Sequence, residues 1–370
     1  MVKYYVEYKE ALMKKTMKFV LKLIILILII VLAYVAYVFI DYYRLPDNEV
    51  LTSVVLEDNP YEKVNIEEEY QITSWNIGFA AYLKDYGFFM DGGTESRAYS
   101  KESVEKNMND ISSKLKGYDS DFYFIQEVDF DSTRSYHVDE RIPIISSLND
   151  YSYTFAQNYD SPYLFYPILK PHGSSKSGIL TFSRWNITES IRRSLPVQKD
   201  FAKLLDLDRC YSINRVPTNN GKELILINFH LSAYTTDETI VTKQIETLNA
   251  NLKEELEKGN YIIAGGDFNK DLLGDSSKCF GVSGEDYSWA RSYPMELIPE
   301  CISLIAPYDP ENRIPSCRNA DGPWDKETQF QITIDGFMIS DNIECIISEV
   351  IDNDFENSDH NPVQMKFILH

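Results

Sequence analysis

The apolar residues of this chain fall into one long block followed by many short ones. The block runs from Phe19 to Ile40 (FVLKLIILILIIVLAYVAYVFI) and carries a single charge, Lys22. Roughly 20 apolar residues rise about 30 Å as a helix, enough to cross the hydrocarbon core of a bilayer. A buried core helix seldom runs so far without a polar face. A cleaved signal peptide usually has a shorter apolar stretch ending in a small-x-small site, and no such site follows here. The pattern therefore predicts an uncleaved transmembrane helix over 19–40, preceded by a short tail over 1–18. Lys14, Lys15, Lys18 and Lys22 lie at its start, whereas Asp41, Asp47 and Glu49 follow it. Positive-inside asymmetry keeps the N-terminus cytoplasmic and sends the remainder out of the cell. Tyr34, Tyr37, Tyr42 and Tyr43 would then sit near the outer interface. Residues 41–68, with Pro46, Pro60 and many acids, read as a polar stalk.

Beyond the stalk, short segments rich in Val, Ile, Tyr and Phe recur to the end. Strands are expected at 70–77, 121–128, 178–184, 223–230, 261–268, 330–339 and 361–369. Several are near-continuous apolar runs, as strands covered on both faces require. Helical spacing appears between them, over 101–115 and over 238–257, where Ile240, Ile245, Leu248 and Leu252 recur. No internal repeat and no linker divides residues 69–370. Strands and helices mixed around one large core predict a layered α/β sandwich.

Charge changes the picture of possible partners. From Leu45 onward the chain holds 29 basic and 54 acidic residues. Such a surface repels nucleic acid at long range and lacks the basic footprint of a DNA binder, although a bound divalent metal supplies positive charge locally. The five cysteines form no CxxC pair, so a zinc site is not indicated. In an exported domain Cys279, Cys301 and Cys317 could supply one disulfide, with at least one thiol left over, but the five read more simply as ordinary small core or loop residues.

The informative feature is where the polar residues fall. Asn76, Glu127, His230, Asp267, Asn269, Asp335, Asp359 and His360 lie at, or just beyond, the ends of apolar segments. Each has a bland explanation alone, as a turn, a cap or a satisfied core histidine. Eight on successive strand ends would gather carboxylates, amides and imidazoles at one edge of the sheets.

The words around these residues are SWNIG (74–78), FIQEVD (124–129), NFHLS (228–232), GGDFN (265–269), IDGFMIS (334–340) and SDHNPV (358–363). In that order they resemble the endonuclease/exonuclease/phosphatase superfamily. The resemblance implies a four-layer α/β sandwich with two central mixed β-sheets and hydrolysis of a phosphoester at one sheet edge. It implies Mg²⁺, with Mn²⁺ as the alternative, bound directly by Glu127 and completed or buttressed by Asn76 and Asp359; hard cations prefer such oxygen ligands. It also implies that Asp267 orients and deprotonates the attacking water, with Asn269 holding the water or the phosphate. His360 would stabilise the developing oxyanion, with Asp335 fixing its tautomer and raising its pKa. His230 would stand near the scissile phosphate or donate a proton to the leaving group.

Two neighbouring stretches are polar and aromatic beyond what a connector needs, and Tyr82, Arg134, Tyr136 and His137 are candidates to shape the pocket. Lys176 and Ser177 could reach a phosphate or simply form a turn. The substrate stays open between nucleic acid, a phospholipid headgroup and a soluble phosphate such as an inositol phosphate. A phosphodiester is favoured, with a phosphomonoester or a catalytically silent envelope binding module as alternatives, and no obligate protein partner is inferred. Tethering favours a substrate at the membrane, yet no exposed apolar hairpin is evident. The nearest candidate is the stretch 280–294, with Tyr287, Trp289 and Tyr293, which also reads as a packed aromatic loop.

Overall fold

The computed structural model describes residues 1–198, 207–233, 239–284, 287 and 289–370, which form two units, Met1–Tyr43 and Arg44–His370. The first unit is one helix, α1 (Val2–Asp41), long and apolar enough to cross a membrane. Its 40 residues rise about 60 Å, so only part of it would lie in hydrocarbon. The apolar side chains from Leu21 to Leu32 are exposed.

The second unit contains, in chain order, β1 (Glu49–Val50), β2 (Glu69–Asn76), α2 (Lys101–Tyr118), β3 (Phe122–Asp129), α3 (Arg141–Ser147), β4 (Ser152–Asp160), β5 (Lys176–Ser183), β6 (Glu189–Ser194), β7 (Cys210–Pro217) and β8 (Glu223–His230). It continues with α4 (Thr239–Glu257), β9 (Tyr261–Asp267), α5 (Ser276–Phe280), β10 (Ile302–Ile305), β11 (Cys317–Arg318), β12 (Gln331–Ile332), β13 (Asp335–Ser340), β14 (Ile343–Val350) and β15 (Val363–Leu369). One sheet has the order β14-β15-β2-β3-β5-β4, and the other has β1-β6-β7-β8-β9-β13-β10. Each contains one parallel pair, β2 with β3 and β8 with β9, among antiparallel neighbours. Both central sheets are therefore mixed.

The layers follow from which faces are apolar. Ile72, Phe122 and Phe124 of one sheet meet Leu224, Leu226, Ile263 and Phe337 of the other in a shared core. The outer face of the first sheet packs on Val104, Met108, Ile111 and Leu115 of α2 and on Ile144 of α3. The outer face of the second packs on Val241, Ile245, Leu248 and Leu252 of α4. The result is the four-layer sandwich. A polar seam also crosses between the sheets: Gln126 Nε2 donates to Asn228 Oδ1 at 2.8 Å, and Asn228 Nδ2 donates to Leu180 O at 2.8 Å. Buried polar atoms paired this way keep their hydrogen bonds and align one sheet on the other.

Two expectations change. The segment read as a stalk is largely tied to the second unit, which begins at Arg44. β1 pairs with β6, Val54 bridges Tyr153, and Val64 is buried and bridges Thr218. Asp47 accepts from Ser194 N and Arg193 Nε, and these long-range partners are invisible in an acidic, proline-bearing composition. The strand expected over 330–339 is broken into β12 and β13, because Ile334 N and Asp335 N turn to donate to Ser316 Oγ. All five cysteines are free thiols, in keeping with the simpler of the two readings and not with a disulfide among Cys279, Cys301 and Cys317. The helix expected from 238 is seen from Thr239, and Glu238 lies outside the described residues.

One ion cluster pins α4 to β7 and β8. Glu255 lies 2.6 Å from Arg215 Nη2 and 2.9 Å from Lys258 Nζ, and it accepts from Asn260 Nδ2 at 2.7 Å. Burial opposes the carboxylate, but these donors outweigh it and hold the pKa down at about 2 against an ordinary 4.5. A lowered carboxyl pKa stabilises the fold above the unfolded value and loses that contribution as pH falls through the folded one. Glu255→Gln should cost about 1–2 kcal/mol at pH 7, allowing for solvent screening, and almost nothing at pH 2. Chemical melts of parent and variant across that pH range would check it; an equal gap at both ends would contradict the assignment.

Candidate active site

The site is built where strand ends converge, and local backbone features explain its sequence words. β3 carries a bulge between Ile125 and Val128, and Glu127 sits in it with φ 56°. A bulge re-aims a side chain out of the alternating pattern, here turning Glu127 toward the end of β2. Gly266 precedes Asp267 with φ +135°, and a Cβ there would lie 2.1 Å from Phe229 O. Gly78 has φ +52°, and a Cβ would meet Tyr82 Cδ2 at 2.7 Å and Asp359 Oδ1 at 3.0 Å. Glycine is needed at both positions because the backbone there is left-handed and crowded.

Asp267 is the hub. Its Oδ2 accepts from Asn76 Nδ2 at 3.0 Å and lies 3.3 Å from His230 Nε2 and 3.7 Å from His360 Nε2. Its Oδ1 accepts from Asn269 N at 2.8 Å, while Asn269 Nδ2 donates to Leu231 O and fixes that turn. Burial drives the Asp267 carboxyl up to about 7, with nearby His360 opposing and Asp335 reinforcing the rise. Asn76 Nδ2 also donates to Glu127 Oε1 at 3.2 Å, and Asn76 Oδ1 accepts from Gly78 N. As oriented, Asn76 holds two carboxylates together and offers its own oxygen to the backbone.

His360 is set by Asp335. Its Nδ1 donates to Asp335 Oδ2 at 2.8 Å, and that oxygen also accepts from Ser316 Oγ at 2.7 Å. Burial disfavours the imidazolium, but the Asp335 carboxylate outweighs it, and the His360 pKa stands well above its ordinary value. The loop bearing Asp359 and His360 is sewn to β2: Trp75 Nε1 donates to His360 O, and Ser358 Oγ donates to Asn76 O. Asp359 is half-buried; burial raises its carboxyl, His360 opposes the rise, and Glu127 adds to it.

His230 behaves differently from His360. It is buried and its pKa is pushed well below the ordinary value, by burial first and then by Arg209, His360 and Arg134. Its Nδ1 has no hydrogen-bond partner. A neutral imidazole is a poor proton donor, which bears against the leaving-group role expected for His230.

Among the described residues, one group of acids and imidazole lies at cation-binding range. Ligand atoms of Asp267, Asp335 and His360 all lie within 4.8 Å of one another, although the Asp335–His360 bond already occupies two of them. Glu127 and Asp359 are the other acids, and they are close enough for the Glu127 charge to add to the burial-driven rise of the Asp359 carboxyl, which His360 and Arg318 oppose. Oxygen donors crowded this way fit a hard divalent cation.

Of the pocket candidates, Tyr82 and Arg134 are buried, Tyr136 is partly buried against the same core, and His137 is exposed. Arg134 is buried, grips Asp129 through Nε at 3.0 Å and Nη2 at 2.9 Å, and lies 3.9 Å from the Phe79 ring centre. Tyr82 is buried edge-on to Phe79. His137 is exposed beside Asp131, and Tyr136 donates to Tyr99 O. Lys176 opens β5 and Ser177 is buried with no partner for its hydroxyl. In the 280–294 stretch, Trp289 and Tyr293 are buried and Tyr287 stacks on Phe330, so the loop is packed; Glu285, Asp286 and Ser288 lie outside the described residues.

Sequence reasoning missed Ser316, Ser358, Asn158 and Arg209. The two serines carry no pattern, because a hydroxyl in a loop is commonplace. Arg209 is buried with Nε and Nη1 unpartnered, and Asn158 is buried with both amide atoms unpartnered. They flank the bulge of β4 and the start of β7, two strands the sequence pattern did not predict.

Residues 73–281 match the model of the endonuclease/exonuclease/phosphatase family. The chain belongs to that family. Members are phosphoester hydrolases that generally use divalent metals, and the chain is an enzyme of this type. The fold is also that of solved family members. An endonuclease/exonuclease/phosphatase from Beutenbergia cavernae superposes with TM-score 0.56 at 15% identity, covering 82% of this chain and 72% of that one. One from Bacteroides vulgatus gives 0.52 at 13%, covering 82% and 100%. ANGEL2, a 2',3'-cyclic phosphatase solved with adenosine-2',3'-vanadate, gives 0.54 at 16%, covering 81% and 96%. These likenesses bear on the fold alone. No curated protein sequence matches the chain.

Proposed function

We propose that this family member hydrolyses a phosphodiester by in-line attack of water assisted by Mg²⁺, with Mn²⁺ able to substitute. The observation that carries the reading is the convergence of Asn76, His230 and His360 on one oxygen of Asp267, 3.0 to 3.7 Å away. Glu127 and Asp359 would hold the cation, with Asn76 as buttress; when bound, it polarises phosphoryl oxygen and offsets developing charge. Asp267, poised near neutrality, takes the proton of the attacking water, and Asn269 orients it. His360, held cationic by Asp335, neutralises the oxyanion. Neutral His230 and Arg209 contact the phosphate from the β7–β8 side. The expected export of the catalytic unit through α1 belongs to the same reading.

The test is release of product by the full chain in detergent, with Mg²⁺ or with EDTA, from DNA, RNA, phospholipid and inositol phosphates. EDTA-sensitive turnover of a diester supports the reading, and turnover confined to monoesters favours a phosphatase instead. Arg209→Ala should lower kcat/KM about 10–100-fold, through loss of a charge-assisted contact of roughly 1.5–3 kcal/mol. Unchanged kcat/KM would remove Arg209 from the site.

A further inference from the structure

The loop joining β4 to β5, residues 161–175, differs from the rest of the surface. Its apex reads Phe165-Tyr166-Pro167-Ile168-Leu169, and Phe165, Tyr166, Ile168 and Leu169 are 57%, 67%, 84% and 100% exposed. Met90, on a neighbouring turn, is 54% exposed. The loop is held rigidly from below. Leu164 and Gly173 exchange backbone hydrogen bonds at 3.1 Å, Ser161 N donates to Ser175 O, and His172 N donates to Tyr166 O. Buried His172 donates from Nδ1 to Ser96 O at 2.8 Å, and Tyr166 packs against Phe89 at 5.7 Å between ring centres. A braced apex that presents consecutive large apolar side chains to water marks an interaction site.

Its position in the fold suggests the occupant. Ser177, where β5 begins, is registered with Asp129, two residues beyond Glu127, so the loop leaves the sheet at the catalytic edge. The chain also enters this unit at that edge. Arg44 Nη2 donates to Leu195 O at 2.8 Å, and Asp47 accepts from Ser194 N at 2.7 Å. Ser194 is registered with Cys210 and Tyr211 with Phe229, the residue before His230. The same chain carries a helix long and apolar enough to cross a membrane, so a bilayer is the apolar phase this chain brings with it. The acidic excess beyond Leu45 disfavours an anionic bilayer and leaves a zwitterionic one.

We propose that residues 165–169 insert into the headgroup–acyl boundary of a zwitterionic phospholipid bilayer, and that the site draws its phosphodiester from lipid headgroups there. The second part rests on the phosphodiesterase reading above; the first does not. In that reaction one P–O ester bond breaks, the water hydroxyl goes to phosphorus, and the remaining proton leaves on the released alcohol.

The full chain reconstituted in phosphatidylcholine–sphingomyelin vesicles tests both parts. Leu169→Trp, with the parent's own fluorescence subtracted, should be quenched strongly by lipids brominated high on the acyl chain; no added quenching would overturn insertion. Phe165→Ser/Ile168→Ser/Leu169→Ser should lower vesicle-lipid turnover at least tenfold while leaving hydrolysis of water-soluble bis(p-nitrophenyl) phosphate unchanged. Equal loss on both substrates, or none on vesicles, would overturn the role of the apex. A parent that cleaves the soluble diester but no vesicle lipid would overturn the headgroup assignment, whereas a parent silent on the soluble diester would count against the phosphodiesterase reading itself.

Discussion

Asp267→Asn should abolish measurable turnover, a fall of about 10³–10⁴-fold in kcat, while the protein remains folded. The carboxylate lies where two imidazoles and an amide converge, and no other described acid occupies that point. The amide keeps the shape but cannot accept the proton of water. A second readout separates catalysis from structure. With its folded pKa near 7 against an ordinary 3.8, Asp267 retains a proton that the unfolded chain releases. A raised pKa contributes stability that is present below the unfolded value and is lost as pH rises through the folded one. In EDTA, the parent should therefore lose stability between pH 4 and 7 more steeply than Asp267→Asn. Parallel stability curves, or retained turnover in the variant, would remove Asp267 from the role of base.

Asp335→Asn should lower kcat about 10²–10⁴-fold although Asp335 touches no reacting atom. It is a positioning residue: its Oδ2 joins Ser316 Oγ and His360 Nδ1, and its charge sustains the imidazolium in a buried place. Asparagine presents either an oxygen without charge or an N–H that meets the wrong tautomer. Because the carboxylate is what raises the His360 pKa, the variant should lose the imidazolium at lower pH. The alkaline limb of kcat/KM against pH should move to more acidic values, a displacement that a merely structural role for Asp335 would not produce. An unmoved limb with full activity would place His360 outside the chemistry.

Particular residues separate what was legible in the sequence from what was not. The apolar run of α1, the two helices with helical spacing and the central strands were readable because the periodicity of neighbours encodes them. The edge strands were not: β6 is ESIRRS, and only its pairing with β1 and β7 makes it a strand. The same blindness turned residues 44–68 into a stalk. It also hid Phe165–Leu169, since a short apolar run in a sequence is equally a core strand until burial is known.

The sequence by itself determined most of the central strands and the long helices, the family words and the eight polar residues on strand ends, because strand alternation and tight glycine turns are local properties. The tertiary structure alone decided that Asn76 meets Asp267 across 191 residues, that the β3 bulge aims Glu127 into the group, and that Ser316 and Ser358 lock it. It alone separated the two histidines. His360 gains a carboxylate partner and holds its proton, while His230 is buried near Arg209 and Arg134 and gives its proton up. Charge state is set by which groups are brought within a few ångströms in a low-dielectric interior, and that depends on the whole packed chain.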